Sequence, residues 1–81
     1  MPITPDLRGQ IGLAVEMLGS AKSTFQKPKP TRNELIEAAI FIAWVLRRAD
    51  KLGFRGKIQP ALDEVRFAAD AAAARCRKAV A

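Results

Sequence analysis

The sequence contains no histidine, and Cys76 is its only cysteine. Histidine is the commonest general base and the commonest metal ligand, so its absence removes the usual candidates for acid–base catalysis and for metal binding. A single cysteine cannot form an intramolecular disulfide, and this favours a reducing, cytoplasmic compartment. The composition therefore predicts no cofactor and no metal site.

Close carboxylate pairs are missing as well. Asp63 and Glu64 are adjacent and diverge on a helix, while Asp63 and Asp70 lie about two turns apart, so neither pair forms the couple that acid–base catalysis requires. The sequence shows no glycine-rich phosphate loop, internal repeat or alternating strand pattern. We therefore predict that the chain is not an enzyme and has no catalytic residues.

Neither a membrane span nor a targeting signal is evident in the sequence. The first residues lack the basic region and the continuous apolar run of a secretory signal. The most apolar stretch, residues 35–46, is shorter than the roughly 20 residues that a membrane-spanning helix needs, and two arginines follow it directly. These features predict a cytoplasmic protein without a membrane-spanning helix.

Positive charge is abundant instead. The 81-residue chain has a formal net charge of +6 and a pI near 10.3, which favours anionic partners such as nucleic acid or an acidic protein surface. Hydrophobic residues make up 49% of the chain, but many of them are alanines that bury little surface. We expect one domain, residues 1–81, whose core is only marginally sufficient and could be completed by dimerisation.

Local signals predict three helices, at about residues 5–26, 31–52 and 58–79. The first has Thr4 as a suitable N-cap and Pro5 at its first position, where the missing N–H costs nothing. The apolar residues of this helix recur three and four apart and are Leu7, Ile11, Ala14, Leu18, Ala21 and Phe25. The following Lys27-Pro28-Lys29-Pro30 cannot continue a helix and is predicted to be a stiff connector.

The second and third helices carry their own end signals. Thr31 and Glu34 match a capping box, and Gly53 suits a left-handed helix end with Phe54 packing back. Pro60 fits the first turn of the third helix. The apolar stripe of the third helix is Ile58, Leu62, Val65, Ala69, Ala72, Cys76 and Ala79. On this stripe, Cys76 is expected to be buried rather than reactive.

Three helices of similar length joined by short connectors predict an all-α fold, an antiparallel up-down-up bundle. An open arrangement completed by a second chain is the alternative. The main apolar stripe of the second helix is expected to face both other helices. Its residues are Leu35, Ala38, Ile42, Val45, Ala49 and Leu52.

The second helix has more bulky apolar residues than this stripe can hold. Ile40 and Trp44 share a face with two arginines, and aromatic residues beside arginine are typical of protein interfaces. Alternatively, Trp44 stacks on one of these arginines within its own helix. On the third helix, Phe67 lies opposite the stripe and either joins an interface or packs under a connector. The predicted interface residues are Ile36, Ile40, Phe41, Trp44, Arg47, Arg48 and Phe67, of which Ile36 and Phe41 also fit a wide core stripe.

Cations are predicted to gather at one pole of the bundle. The end of the first helix, the start of the second and the end of the third meet there, and only Glu34 opposes the positive charge. The opposite pole, which includes Glu64, is closer to balanced. The predicted basic pole consists of Lys22, Lys27, Lys29, Arg32, Arg75, Arg77 and Lys78. One explanation is that some of these cations complement the dipole at the end of the third helix. The alternative is that together they bind an acidic protein surface or the phosphates of a nucleic acid.

These features favour a small protein-interaction module, an inhibitor or adaptor, that forms a homodimer and binds a larger protein through its second helix and its basic pole. The alternative is a nucleic-acid-binding protein that contacts phosphates through the basic pole. This alternative is weaker, because the helices are longer than those of a helix-turn-helix and the sequence lacks zinc-ligand spacing and an RNP-like aromatic platform.

Overall fold

The computed structural model of the protein describes residues 5–80 and the side chains of residues 6–78. Its elements are α1 (Pro5–Gln26), α2 (Arg32–Leu52), a short 3-10 segment (Arg55–Ile58) and α3 (Gln59–Val80), with no strand in this range. The predicted all-α bundle is confirmed, and its helix bounds agree with the predicted ones to within one residue. The predicted N-cap Thr4 and the side chain of Ala79 lie outside the described residues.

The end signals of α2 are formed as predicted. Thr31 Oγ1 accepts a hydrogen bond from the Glu34 N–H at 3.1 Å, and Glu34 Oε1 accepts one from the Thr31 N–H at 2.9 Å. At the other end, Gly53 has a φ of 76°, where glycine avoids the strain that a Cβ would cause. The N–H groups of Gly53 and Phe54 both donate to the Ala49 carbonyl, at 2.8 and 3.0 Å.

α1 is the central helix of the bundle. α2 and α3 each pack along α1, whereas no Cα of α2 lies within 8 Å of a Cα of α3. The buried residues are Ala14, Leu18, Ala21, Ala38, Val45, Ala49, Phe54, Ile58, Val65 and Ala68. The α2 stripe packs along α1 and shares one core with Val65 of α3, but the backbones of α2 and α3 stay apart, so the expectation that this stripe faces both other helices is met only in part. At the two ends of this stripe, Leu35 and Leu52 remain 37% and 40% exposed.

α3 is displaced along the axis of α1. Lys22 Nζ lies 3.4 Å from Glu64 Oε2. At a rise of about 1.5 Å per residue, this pair implies that α3 starts about 18 Å after α1 does, and the hydrogen bond from Arg75 to the Phe25 carbonyl implies about 6 Å, so α3 is shifted along α1 by roughly 6–18 Å. The 51 Å long axis of the molecule exceeds the length of α1, about 33 Å, as a shift of α3 past the end of α1 requires. The prediction that Lys22 and Glu64 belong to opposite poles is wrong for this reason.

This displacement explains which residues are buried at each end. Before α3 begins, the 3-10 segment packs against α1 and α2, and Phe54 and Ile58 are only 2% and 1% exposed. At the other end, Arg75 Nη2 donates to the Phe25 carbonyl, one residue before α1 ends. Cys76 is exposed. The prediction that Cys76 is buried is wrong because α1 has already ended at its level.

Candidate binding surfaces

The apolar residues that α2 does not direct toward α1 form an exposed stripe. Ile36 and Ile40 are 47% and 60% exposed. Ala39 and Ala43 are also exposed and lie on the same side of the helix, because these positions are spaced three and four apart. We call these four residues the outer face of α2. It is a candidate contact surface with small residues along its middle.

The aromatic residues of α2 are placed differently from the outer face. Phe41 and Trp44 are half-buried, and Trp44 packs against the core. The Arg48 guanidinium carbon lies 4.9 Å from the centroid of the Trp44 ring, within the range of a cation–π contact. The structure thus forms the stacking within one helix that the sequence offered as an alternative, with Arg48, while Arg47 is exposed. The role of these residues in an interface stays a prediction.

Phe67 is 78% exposed on α3 and does not pack under a connector. It stands between Asp63 and Asp70, and it lines a shallow groove beside α1 together with Lys22 and Glu64, which form the ion pair described above. All residues that line this groove belong to α1 or α3, so Phe67 is not continuous with the outer face of α2. Any contact that Phe67 makes with a partner is therefore separate from one made by α2.

The predicted basic pole is assembled only in part. Lys27 forms an ion pair with Glu34, Lys22 pairs with Glu64, and Arg75 donates to a backbone carbonyl. The remaining cations of the pole are all exposed, and the described residues give them no ion-pair partner; they are Lys29, Arg32, Arg77 and Lys78. Together with Arg75, whose charge the carbonyl does not neutralise, these four carry the positive charge that is available to a ligand.

The pKa of the Glu34 carboxyl is unusually low because of these contacts. The hydrogen bond from Lys27, followed by those from Thr31, lowers the Glu34 pKa from 4.5 to about 2. A carboxylate whose pKa is lower in the folded than in the unfolded chain stabilises the fold above the unfolded pKa. This stabilisation is lost as the pH falls from 4.5 through about 2.

We therefore expect the thermal stability of the wild-type protein to fall more steeply than that of Glu34→Gln between these two pH values. Glutamine can still accept the capping hydrogen bond from Thr31, but it does not titrate. Circular dichroism melts across this pH range measure the difference. Glu16→Gln, on an exposed part of α1, is the matched control and should behave as the wild type does. Parallel pH profiles for wild type and Glu34→Gln would contradict the prediction.

A cleft of about 480 Å³ opens between the α1–α2 connector and the end of α3. The apolar residues that line it are Phe25, Pro28, Pro30, Leu35, Ala72 and Ala73, and the others are Lys29, Arg75 and Cys76. Sequence reasoning missed this cleft. Its signal in the sequence was the run of alanines in α3, whose side chains are too short to fill the space that the stiff Pro-Lys-Pro connector leaves.

These surfaces define a class, a small all-α helical bundle with exposed apolar and basic patches. None of the described helices combines the length and the hydropathy that crossing a bilayer demands. Among the described residues, no group of three or more potential metal-ligating side chains occurs. Comparison with protein-family models, with curated proteins and with solved structures gives no match.

Proposed function

We propose that this protein is a non-enzymatic interaction module, an inhibitor or adaptor. In this proposal it forms a homodimer through the outer face of α2 and binds a larger protein with an acidic surface through its basic pole. The observation that supports it most is the outer face, where Ile40 is 60% exposed although the chain has few bulky apolar residues to spare. A contiguous apolar patch on a small protein is typical of an interaction site.

The outer face is self-complementary. Arg32 precedes it, and Arg47 and Asp50 follow it, all exposed and on the same side of α2. Asp50 is also paired to Arg55 of its own chain. When two α2 helices pack antiparallel about a two-fold axis, Arg32 of each copy lies opposite Asp50 of the other. Ala39 and Ala43 then meet near the axis, where small side chains let the two helices approach closely. Opposite charges at both ends and small residues in the middle favour a second copy over an unrelated helix.

Ile40→Asp is expected to convert the dimer into a monomer, because it places a charge without a partner in the apolar centre of the interface. Sedimentation should give the wild type a mass of about twice the 8.8 kDa chain and the variant a mass of one chain. Trp44 is less suitable for this test, since it packs against the core and its removal also affects folding.

Val15→Asp is the matched control for this experiment. Val15 is 43% exposed on α1, outside the outer face, so the same new charge should leave the dimer intact. Circular dichroism of both variants establishes that they fold. A monomeric wild type, or a dimer that survives Ile40→Asp, would refute the proposed role of the outer face.

Nucleic acid is a second candidate partner, because five cations of the basic pole have no ion pair among the described residues. Cations that bind phosphates release counterions, so the affinity falls steeply with salt. Titration of labelled DNA and RNA at low and moderate salt tests this function. A steep salt slope that is lost in the double variant Arg77→Glu, Lys78→Glu supports it, and undetectable binding at low salt excludes it.

A further inference from the structure

The cleft at the basic pole has an apolar interior and a positively charged edge. Among the residues that the structure describes, Lys29 and Arg75 are the charged residues that line it, and no carboxylate does. The nearby Glu34 carboxylate is already paired with Lys27. Arg75 uses one donor on the Phe25 carbonyl, and a guanidinium group has five N–H donors in all. The cleft therefore suits a ligand that is both apolar and anionic.

The two walls of the cleft indicate the shape of this ligand. The α3 wall is made of Ala72 and Ala73, whose small side chains let the backbone of another helix come close. The opposite wall carries Pro28 and Pro30, which have no N–H to donate to an extended strand. A volume of about 480 Å³ accommodates several apolar side chains. These features favour a helix over a strand.

We propose that the cleft binds an acidic amphipathic helix of a partner protein. Apolar side chains of that helix enter the cleft, and its carboxylates lie toward Lys29 and Arg75. This inference rests on the proposed function, because it specifies the segment by which the basic pole recognises its partner. Opposite charge at the edge of the cleft speeds the encounter and fixes the orientation, and burial of the apolar side chains supplies affinity.

Cys76 makes the proposal directly testable, because this single thiol lines the cleft and is exposed. The probe is a synthetic amphipathic peptide, acetylated and amidated, with leucine and phenylalanine on one face and glutamate on the other. We expect this peptide to slow the alkylation of Cys76 by N-ethylmaleimide at least about tenfold at saturation, as tight coverage of the thiol requires. The same peptide with glutamine in place of glutamate should bind at least about tenfold more weakly.

Two pairs of variants separate binding in the cleft from general attraction to a basic protein. Ala73→Glu places bulk and negative charge inside the cleft and should weaken peptide binding at least about tenfold, a change of about 1.4 kcal/mol. Ala74→Glu adds the same charge at the neighbouring exposed position, which does not line the cleft, and should cost less than about threefold. Lys29→Glu should likewise weaken peptide binding more than its control Lys57→Glu, which makes the same charge change near the start of α3.

Equal effects of Ala73→Glu and Ala74→Glu would overturn the proposal, since the peptide would then respond only to net charge. Protection of Cys76 by laurate or by anionic phospholipid vesicles, without protection by the peptide, would overturn it as well. The Ile40→Asp variant should bind the peptide as the wild type does. If the peptide does not bind but Ile40→Asp still converts the dimer into a monomer, the proposed cleft is refuted and the proposed dimer is not. If the dimer test fails but the peptide still binds in the cleft, the proposed dimer is refuted and the proposed cleft is supported.

Discussion

Replacing Phe54 with alanine is expected to destabilise the protein by about 3–5 kcal/mol. Phe54 is one of the four largest fully buried side chains, and much of the remaining core is alanine. It fills the space beside α1 and α2 before α3 begins, where no other aromatic residue is buried among the described positions. Removal of this ring leaves a cavity in a small core, and the cost of such a cavity adds to the lost burial of the ring.

A loss of this size is a large part of the total, because folded domains are stable by only about 5–15 kcal/mol. Urea unfolding at one fixed protein concentration, followed by circular dichroism and by the fluorescence of the single tryptophan, measures the change. If Phe54→Ala does not fold at all, Phe54→Leu keeps most of the volume and should show a smaller loss of roughly 1 kcal/mol.

Phe67→Ala provides the matched control, since it removes the same atoms from a side chain that is 78% exposed. Its free energy of unfolding should change by no more than about 0.5 kcal/mol. Equal losses for the two variants would mean that Phe54 is not a core residue or that Phe67 is covered in the folded protein.

Replacing the three glycines inside α1 with alanine is expected to stabilise the protein by about 1.5–3 kcal/mol in total. Gly9, Gly12 and Gly19 are exposed, and a Cβ at each of them meets no atom within 4 Å. They therefore do not serve close packing of a neighbouring helix. Each substitution removes conformational freedom from the unfolded chain and adds about 0.5–1 kcal/mol of helix propensity.

Gly53→Ala should instead destabilise the protein by about 1 kcal/mol or more, although the added Cβ also meets open space. The difference lies in the backbone, because Gly53 has a φ of 76° whereas helical glycines do not need that freedom. Melting curves of the triple variant and of Gly53→Ala measure both effects. A triple variant that is no more stable than the wild type would contradict the prediction.

The sequence predicted the helices well because their boundaries are set by neighbouring residues. A capping box needs only Thr31 and Glu34 three positions apart, and a left-handed end needs only a glycine such as Gly53. The stripe of α1 was equally clear, since its apolar residues recur at helical spacing and face neighbours along the whole helix. For the same reason the sequence identified the uncovered residues Ile36 and Ile40 as a surplus on α2.

The relative positions of the helices were decided only by the tertiary structure. Periodicity fixes which side of a helix is apolar, but it does not fix how far one helix slides along another, since a shift by whole turns preserves the pattern. The shift of α3 along α1 pairs Lys22 with Glu64, exposes Cys76 and makes room for Phe54. It also creates the cleft, which requires an α3 that extends past the end of α1. The sequence by itself thus determined the three helices and their apolar sides, while the packing between distant residues determined which surfaces remain free to bind.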